Sequence, residues 1–208
     1  LERLFDRLAA MGINTVFFET INAGYPIYPS NITRQNPLTR TWNPLAAAVE
    51  LAHARNMELH AWIWAFAVGN EAHNRIVGDP IDYPGPILEQ HPEWANVDDQ
   101  GRVRNLGSGK MFLDPANAEA RWFVLRLIDE IVQNYDVDGV QLDYIRYPFQ
   151  DPGAERTYGY GVAGRQQFQA LTGVDPLTIS PRDRQLWAQW TQFREDNVTQ
   201  FVREVREW

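Results

Sequence analysis

Hydrophobic positions along the chain alternate between a helical and a strand period, in the order expected of parallel βα units. The chain opens on an amphipathic helix with apolar residues at positions 1, 4, 5, 8 and 11, and Gly12 is placed to end it. Strands are predicted over residues 13–20, 57–66 and 138–147. Further helices are predicted from Asn43-Pro44 to about residue 55, from Asp114-Pro115 to about 135, over 162–172, and from 180 onward. The pattern predicts an α/β fold.

The links between these elements are short after helices and long after strands. Each helix-to-strand link takes one or two residues, whereas the strand-to-helix links cover residues 21–42, 67–113 and 149–160. In parallel α/β architectures the strand-to-helix loops gather at the C-terminal ends of the strands, where sites are built. We therefore expect the functional face at those strand ends.

Alternation within the strands favours a (β/α)8 barrel over a doubly wound sheet. In the third strand Val140 and Leu142 suit the helix-facing side, while the other side carries Gly139, Gln141 and Asp143. In the second strand the inward set is His60, Trp62 and Trp64. Strands of doubly wound sheets are buried on both faces and form continuous apolar runs, so polar and aromatic inward positions favour the barrel. No glycine-rich phosphate loop follows a strand, which weakens a nucleotide-binding interpretation.

Composition narrows the classes of partner. The 208 residues carry 27 acidic and 19 basic side chains, and the formal charge of −8 would repel phosphate backbones, so nucleic acid is not expected. The chain has no cysteine and no His-Glu-x-x-His spacing, so we expect neither a metal nor a cofactor. No apolar run reaches the roughly 20 residues of a membrane helix. Aromatic residues make up 12%, an excess that suits sugar binding.

Two strand-end carboxylates are the candidate catalytic residues. Asp143 is predicted to point with Gln141 into the barrel lumen, where a carboxylate can act as nucleophile or proton donor at an anomeric carbon. Arg146 could hold it ionised. The alternative roles for Asp143 are a helix cap or a structural pair with Arg146. Glu19 ends the first strand in the same orientation and is open to sugar binding, a second acid role or a buried structural role.

The candidate substrate contacts lie at strand ends or in long loops. Aromatic rings are platforms for the apolar faces of sugars. This argument nominates Tyr25, Tyr28, Trp62, Trp64, Tyr144 and Tyr147, whereas packing is the simpler role for the helical Trp122, Trp187 and Trp190. His60 is either a substrate contact or a hydrogen-bonded lumen histidine. Asp114 is expected to cap the helix that follows it, and a cap on this face can also touch ligand.

An ordered set of short motifs resembles a known bacterial family. The set comprises Asn14-Thr-Val-Phe-Phe-Glu19, Tyr28-Pro-Ser30, Asn43-Pro-Leu45, Ala52-His-Ala54, Leu59-His-Ala-Trp62, His91-Pro-Glu-Trp94, Phe112-Leu-Asp-Pro115, Tyr135-Asp-Val-Asp-Gly-Val140 and Leu142-Asp-Tyr-Ile-Arg-Tyr-Pro148. In order and spacing it resembles the glycosyl-hydrolase-like family 10 domain over residues 1 to about 150. The last cluster is its most specific part.

This resemblance implies a (β/α)8 barrel of glycosidase type. It implies that Asp143 is a catalytic carboxylate, with Tyr144, Arg146 and Tyr147 in the substrate cleft. Family members often carry a second acid where Tyr144 stands, and many have Asn in place of Asp114. The family's first strand precedes the helix that opens this chain. The chain is therefore expected to be a partial barrel, truncated at both ends and holding about strands two to four.

The expected function is glycoside hydrolysis of a bacterial-type polysaccharide by two-carboxylate acid/base chemistry, with an oligosaccharide or polysaccharide as partner. Some proteins of the family are linked to cleavage of peptidoglycan glycan strands that lack stem peptides. The second carboxylate is expected to be Glu19 or a residue beyond Trp208. The alternative is a non-catalytic carbohydrate-binding barrel. A cell-envelope or secreted location is expected from the resemblance alone.

Overall fold

The computed structural model describes residues 1–149 and 157–208, in which helices and strands follow the predicted α/β order. Its helices are α1 (Glu2–Ala10), α2 (Pro44–His53), α3 (Glu71–Val77), α4 (Pro86–Gln90), α5 (Ala118–Asn134), α6 (Val162–Thr172) and α7 (Arg184–Glu207). Its strands are β1 (Thr15–Asn22), β2 (Tyr25–Pro26), β3 (Glu58–Trp64), β4 (Ala67–Asn70), β5 (Lys110–Phe112) and β6 (Gly139–Asp143). Short 3₁₀ turns cover Pro37–Thr39, Pro92–Trp94 and Pro176–Thr178.

Three strands form the parallel part of the sheet, in the order β1, β3, β6. β2 pairs antiparallel with the end of β1, and β4 pairs antiparallel with β5 in a separate ribbon. Parallel neighbours in chain order occur in a (β/α)8 barrel and also within each half of a doubly wound sheet. The α/β class with a parallel sheet is confirmed, and the partial (β/α)8 barrel stays a prediction.

The two faces of the parallel sheet have different environments. On the helix-facing side, the buried residues of β3 are Leu59, Ala61 and Ile63. On the other side, Phe17 of β1 is 53% exposed and the half-buried residues of β3 are His60, Trp62 and Trp64. The predicted alternation is therefore confirmed. The inward set points away from the helices and is free to line a site.

Capping residues decide where the helices begin. As predicted, α2 follows Asn43, whose side-chain oxygen accepts a hydrogen bond from the backbone at 3.1 Å. The predicted start of α5 at Asp114 was wrong, because Asn117 caps that helix instead. α7 begins after Asp183, slightly later than the predicted Ser180. Several residues with capping chemistry precede both helices, and the sequence does not choose between them.

The long C-terminal helix α7 packs against α5 and the end of the sheet. Phe201 is fully buried, and its ring centre lies 4.7 Å from that of Phe66, just after β3. Arg121 on α5 donates to both carboxylate oxygens of Glu204 at 2.8 and 3.1 Å. Such a bidentate pair fixes the relative position of two helices better than a single contact does. None of the described helices is long and apolar enough to cross a bilayer.

The helical tryptophans divide between packing and exposure. Trp190 is fully buried in a second cluster between α6 and α7, and Trp187 packs against the same cluster. Trp122 is 50% exposed on α5, with the Arg126 guanidinium 4.9 Å from its ring centre. The predicted packing role was therefore wrong for Trp122. The hydrophobic pattern alone did not show that Trp122 lies on the outer side of α5.

The absence of a side chain at Gly139 lets β6 lie against His60. A Cβ at position 139 would overlap the imidazole of His60, which is its cross-strand neighbour. The same imidazole packs on the ring of Phe17, with 5.1 Å between centres, and hydrogen-bonds to the Glu58 carboxylate at 3.2 Å. The ring is therefore held between three strands.

Replacing Gly139 by alanine should lower the free energy of unfolding by about 1–3 kcal/mol, because the new methyl group displaces the imidazole of His60. Urea denaturation of G139A, H60A and the double variant measures the coupling. The double variant should recover most of the loss, since the shortened side chain at position 60 leaves room for the methyl group. Equal destabilisation of G139A with and without H60A would contradict this account.

Candidate active site

The C-terminal end of β6 places Asp143 at the edge of the inward face. Its cross-strand neighbour is Trp64, and the next inward pair along the same two strands is Trp62 with Gln141. Asp143 is half-buried, so its carboxylate is accessible to a ligand while the chain around it is fixed. The predicted position of Asp143 at the strand end is confirmed.

Two hydrogen bonds orient the Asp143 carboxylate. The Trp62 indole Nε1 donates to Oδ2 at 3.3 Å, and the backbone N–H of Tyr144 donates to Oδ1 at 2.7 Å. Each oxygen therefore has one protein donor and keeps further acceptor capacity for a substrate hydroxyl or water. The protein therefore orients the carboxylate and leaves part of its hydrogen-bond acceptor capacity for a ligand.

The backbone turns sharply directly after Asp143. Tyr144 has a φ of +51°, in the left-handed region that residues with a Cβ rarely adopt. Backbone hydrogen bonds hold this turn against the end of β3: Ala65 N donates to Asp143 O at 2.8 Å and Phe66 N to Tyr144 O at 3.3 Å. Such conformations persist where the surrounding contacts determine them, and they cluster at functional sites.

The turn brings the Tyr144 ring onto an aromatic surface beside Asp143. The ring centres of Tyr144 and Trp64 lie 4.6 Å apart, and Phe112 on β5 packs edge-on against Tyr144 at 6.1 Å. The buried Nε1 of Trp64 donates to no described residue. Together with Trp62, these rings give the strand ends the aromatic character that sugar binding uses.

Arg146 contacts this aromatic surface and does not pair with Asp143. Its guanidinium carbon lies 5.0 Å from the Tyr144 ring centre and 5.9 Å from that of Phe112, and its Nη1 donates to the backbone oxygen of Tyr147. It forms no ion pair with Asp143. The predicted position near the site is confirmed. An ion pair was one of the roles left open for these two residues, and the structure does not form it.

A cavity of about 300 Å³ opens beside the Tyr144 ring, and it includes residues that sequence reasoning missed. Its lining includes Asn105, Ser108, Lys110, Phe112, Tyr144 and Arg146. Lys110 and its neighbours lie in the long segment between β3 and α5, which was expected to be functional without particular residues being assigned. The Lys110 ammonium lies 5.5 Å from the ring centre of Trp64 and 5.4 Å from that of Tyr144.

Glu19 faces the same side of the sheet as Asp143 but is two strands away. Its cross-strand neighbour is Trp62, whereas the neighbour of Asp143 is Trp64. From strand spacing and rise, the two acidic residues are roughly 12 Å apart at their Cα atoms. Glu19 is half-buried and hydrogen-bonds with no described side chain. It shares the inward face as predicted.

Tyr25 and Tyr28 are not in the site. Both are fully buried, and their hydroxyls donate to the carboxylates of Asp79 at 3.2 Å and Glu130 at 3.1 Å. Burial raises the pKa of Tyr25 to about 12. The prediction that these tyrosines contact substrate is corrected, because the loop after β1 folds their rings into the protein, where the hydroxyls bind half-buried carboxylates.

His60 also lies away from the strand ends. Its cross-strand neighbour is Gly139 at the start of β6, four residues before Asp143. Four residues of strand correspond to roughly 13 Å. The predicted inward orientation of His60 is confirmed, but the structure does not bring His60 close to Asp143. Its contacts match the alternative role, that of a hydrogen-bonded histidine on the inward face.

Asp114 and Tyr147 form a buried group behind the site. Asp114 is 1% exposed and accepts hydrogen bonds from the backbone N–H groups of Ala116 at 3.0 Å and Gly164 at 3.3 Å. It joins the loop before α5 to the start of α6, so its predicted ligand contact is corrected. Tyr147 is 9% exposed, and burial with the nearby Asp114 carboxylate raises its pKa well above the ordinary value. Its position in a substrate cleft stays a prediction.

The fold and the site define a parallel α/β domain that presents an oriented carboxylate among aromatic side chains. Among the described residues, no group of three or more histidine, aspartate or glutamate side chains is arranged to hold a metal ion. The chain belongs to the glycosyl hydrolase-like 10 family, whose model matches residues 1–208.

Individual relatives agree with this assignment. The chain is 27% identical to the glycosyl hydrolase YngK of Bacillus subtilis over 215 residues, covering 99% of this chain and 36% of YngK. It is 31% identical to an S-layer-related protein of Niallia circulans over 167 residues, covering 73% of this chain and 10% of that protein. The chain therefore spans less than half the length of the relatives it matches. A solved structure from Ruminiclostridium thermocellum, described as a hypothetical protein, shares the fold with a TM-score of 0.51 at 20% identity, covering 86% of this chain and 88% of that one.

The buried carboxylate of Asp114 predicts a component of stability that falls as pH rises. Burial raises its pKa to about 6, although two backbone donors oppose the shift. The unfolded chain releases this proton near pH 4 and the folded chain near pH 6, so the free energy of unfolding should fall by about 3 kcal/mol across that interval. Denaturation of wild type and D114N between pH 3.5 and about 7 measures the difference in slope.

Asp175 is the matched control, because Arg165 lowers its pKa. Its contribution has the opposite sign: it is present above the unfolded pKa and lost as pH falls. D175N should therefore remove a component that rises with pH, whereas D114N should remove one that falls. Identical pH slopes for D114N and wild type would contradict the assignment of a charged, desolvated carboxylate at position 114.

Proposed function

We propose that this protein is a glycoside hydrolase that cleaves O-glycosidic bonds in a bacterial-type polysaccharide, with Asp143 as a catalytic carboxylate. The observation that carries the proposal is the half-buried carboxylate at the end of β6, which Trp62 and the Tyr144 backbone orient beside the packed rings of Trp64 and Tyr144. A carboxylate in this environment can attack an anomeric carbon or transfer a proton to the leaving oxygen. Membership of a glycosyl hydrolase-like family supports the same chemistry.

The proposed architecture is a (β/α)8 barrel of which β1, β3 and β6 are consecutive strands. Its support is the chain-order arrangement of these strands and the polar, aromatic inward face. In such barrels catalytic side chains project from the C-terminal ends of several strands. Asp143 and Trp64 occupy that end of their strands.

The second carboxylate required by the mechanism is Glu19 or an acid outside this chain. The separation of roughly 12 Å between the Cα atoms of Glu19 and Asp143 exceeds the spacing of cross-strand neighbours, so the pair depends on extended side chains to approach one sugar. Carboxyl groups about 5 Å apart would give retention of configuration, and about 6.5–9.5 Å would give inversion. The relatives extend well beyond the matched segment, which leaves room for the partner acid elsewhere.

Peptidoglycan glycan strands without stem peptides are the proposed substrate, and the cell envelope or exterior is the proposed location. Similarity to an S-layer-related protein supports the location. The aromatic surface beside Asp143 supports a glycan in preference to a small polar substrate, because aromatic rings match the apolar faces of sugars.

Replacing Asp143 by asparagine in the intact protein should lower the release of reducing ends from peptide-free glycan strands by at least about 10²-fold, because the amide can neither attack nor transfer a proton. The thermal unfolding temperature should stay close to that of the wild type. D136N is the matched control, since Asp136 is exposed at the opposite end of β6.

Near-normal turnover by D143N would contradict the catalytic role. If the wild type binds the strands saturably and W62A weakens that binding, yet no reducing ends appear, the protein is a carbohydrate-binding barrel instead.

Replacing Trp62 by phenylalanine should lower kcat about 10-fold or more while changing KM little. The variant keeps an aromatic ring but loses the N–H that directs Asp143, and a hydrogen bond to a charged group is worth about 1.5–3 kcal/mol. Steady-state kinetics on the same glycan strands separate kcat from KM. W122F, on the outer side of α5, is the control and should behave as wild type. An unchanged kcat in W62F would show that this donor does not direct the reacting carboxylate.

A further inference from the structure

The cavity beside the Tyr144 ring carries two positive charges that its described lining residues do not neutralise. Lys110 and Arg146 both line it, and none of its described lining residues is acidic. Neither side chain forms an ion pair with a described carboxylate. By contrast, Arg102, Arg121 and Arg165 each bind an aspartate or glutamate.

Aromatic rings hold both cations in place. The Lys110 ammonium and the Arg146 guanidinium lie 5.4 and 5.0 Å from the same ring centre, that of Tyr144. Lys110 also lies 5.5 Å from the ring centre of Trp64. Cation–π contacts at these distances favour the positions without cancelling the charge, so both cations keep their capacity to bind an anion.

Hydrogen bonds within a tight turn hold the backbone that carries Lys110. Asn105 N donates to Lys110 O at 2.8 Å, and Gly109 N donates to Asn105 O at 2.8 Å. The Ser108 backbone and hydroxyl both donate to Asn105 Oδ1 at 2.9 Å. These bonds close the tight turn that leads into β5 and engage the Asn105 oxygen, so the amide nitrogen is the half of that side chain left to donate to a ligand.

The composition of the chain makes this local charge unusual. The formal charge is −8, and Lys110 is the only lysine in the sequence. Two unneutralised cations on one ring repel each other, and a bound anion relieves that repulsion. Asp143, one residue from Tyr144, would itself repel a negatively charged substrate. An anionic group near this site therefore needs such a pair of cations to be accommodated.

We propose that this cavity binds the carboxylate of an acidic sugar, in the unit of the substrate adjacent to the one held at Asp143. The two oxygens of a carboxylate match one ammonium and one guanidinium donor, and the Tyr144 and Trp64 rings supply a surface for the sugar that bears it. The inference rests on the proposed glycosidase function and names a feature of its substrate. Lys110 and Arg146 then determine specificity for acidic glycans.

The test compares two tetrasaccharides that differ in carboxylates. One alternates N-acetylglucosamine with N-acetylmuramic acid, and the other contains N-acetylglucosamine alone. Titration calorimetry with the intact D143N protein measures binding without turnover. We expect the acidic tetrasaccharide to bind at least about 10-fold tighter, since charge-assisted hydrogen bonds are worth about 1.5–3 kcal/mol. The preference should shrink as salt rises from 50 to 500 mM.

Substituting both cations by methionine, K110M with R146M, keeps their apolar stems and removes the charge. This variant should lose the preference for the acidic sugar and bind the neutral tetrasaccharide as before. K110R should retain the preference. R126Q, which removes a cation from the outer side of α5, is the matched control and should leave both affinities unchanged.

Equal binding of the two sugars by the parent protein, binding of neither, or a preference that survives the double substitution would overturn the inference. Cleavage assays with the protein carrying Asp143 separate this inference from the proposed function. Selective binding without cleavage of either sugar would sustain the carboxylate site and overturn the hydrolase, whereas equal binding and equal cleavage would do the reverse.

Discussion

The two-residue period of parallel strands is the constraint on which the structure depends. Each strand must bury one face against helices, which β3 does with Leu59, Ala61 and Ile63, and this requirement fixes every other side chain on the opposite face. Asp143, Trp62 and Trp64 are inward because their neighbours are core residues. A slip of one residue in the register would bury the carboxylate and expose the core, so the stability of the fold and the placement of the site depend on the same packing.

The turn at the end of β6 helps to fix the orientation of the Asp143 carboxylate. A strand alone would leave Asp143 free to rotate, but the left-handed turn at Tyr144 brings a backbone donor to one oxygen while Trp62 of β3 donates to the other. The strained turn costs about 1–2 kcal/mol. The hydrogen bonds from Ala65 and Phe66 to the turn offset that cost, because they extend the pairing between β3 and β6 beyond the regular strand. The turn at Tyr144 therefore contributes both to the orientation of the carboxylate and to the contact between the Tyr144 and Trp64 rings.

Sequence reasoning predicted what depends on period and spacing, and missed what depends on the path of loops. The α/β order, the inward face and the strand-end position of Asp143 follow from alternation that is visible in the residues themselves. Tyr25 and Tyr28 were misplaced, because nothing in a loop sequence shows that a distant acid such as Glu130 will draw a hydroxyl into the core. Asp114 was misplaced for a similar reason: its donor at Gly164 lies fifty positions away. The importance of Lys110 was missed although its signal was present, since a lone lysine in a chain of formal charge −8 is conspicuous.

The net charge of the chain and the charges close to Asp143 have different effects on a ligand. Net charge describes long-range repulsion, which ionic strength screens beyond about 10 Å. At the strand ends the nearest charges dominate the interaction with a ligand. There the Asp143 carboxylate lies near two cations that contact aromatic rings. An overall negative chain can therefore still receive a negative ligand at short range, provided that the ligand's anionic group meets Lys110 and Arg146 before it meets Asp143. The expectation from net charge that nucleic acid is not a partner therefore does not extend to acidic glycans, because a sugar carboxylate at the site meets the local charges of Lys110 and Arg146.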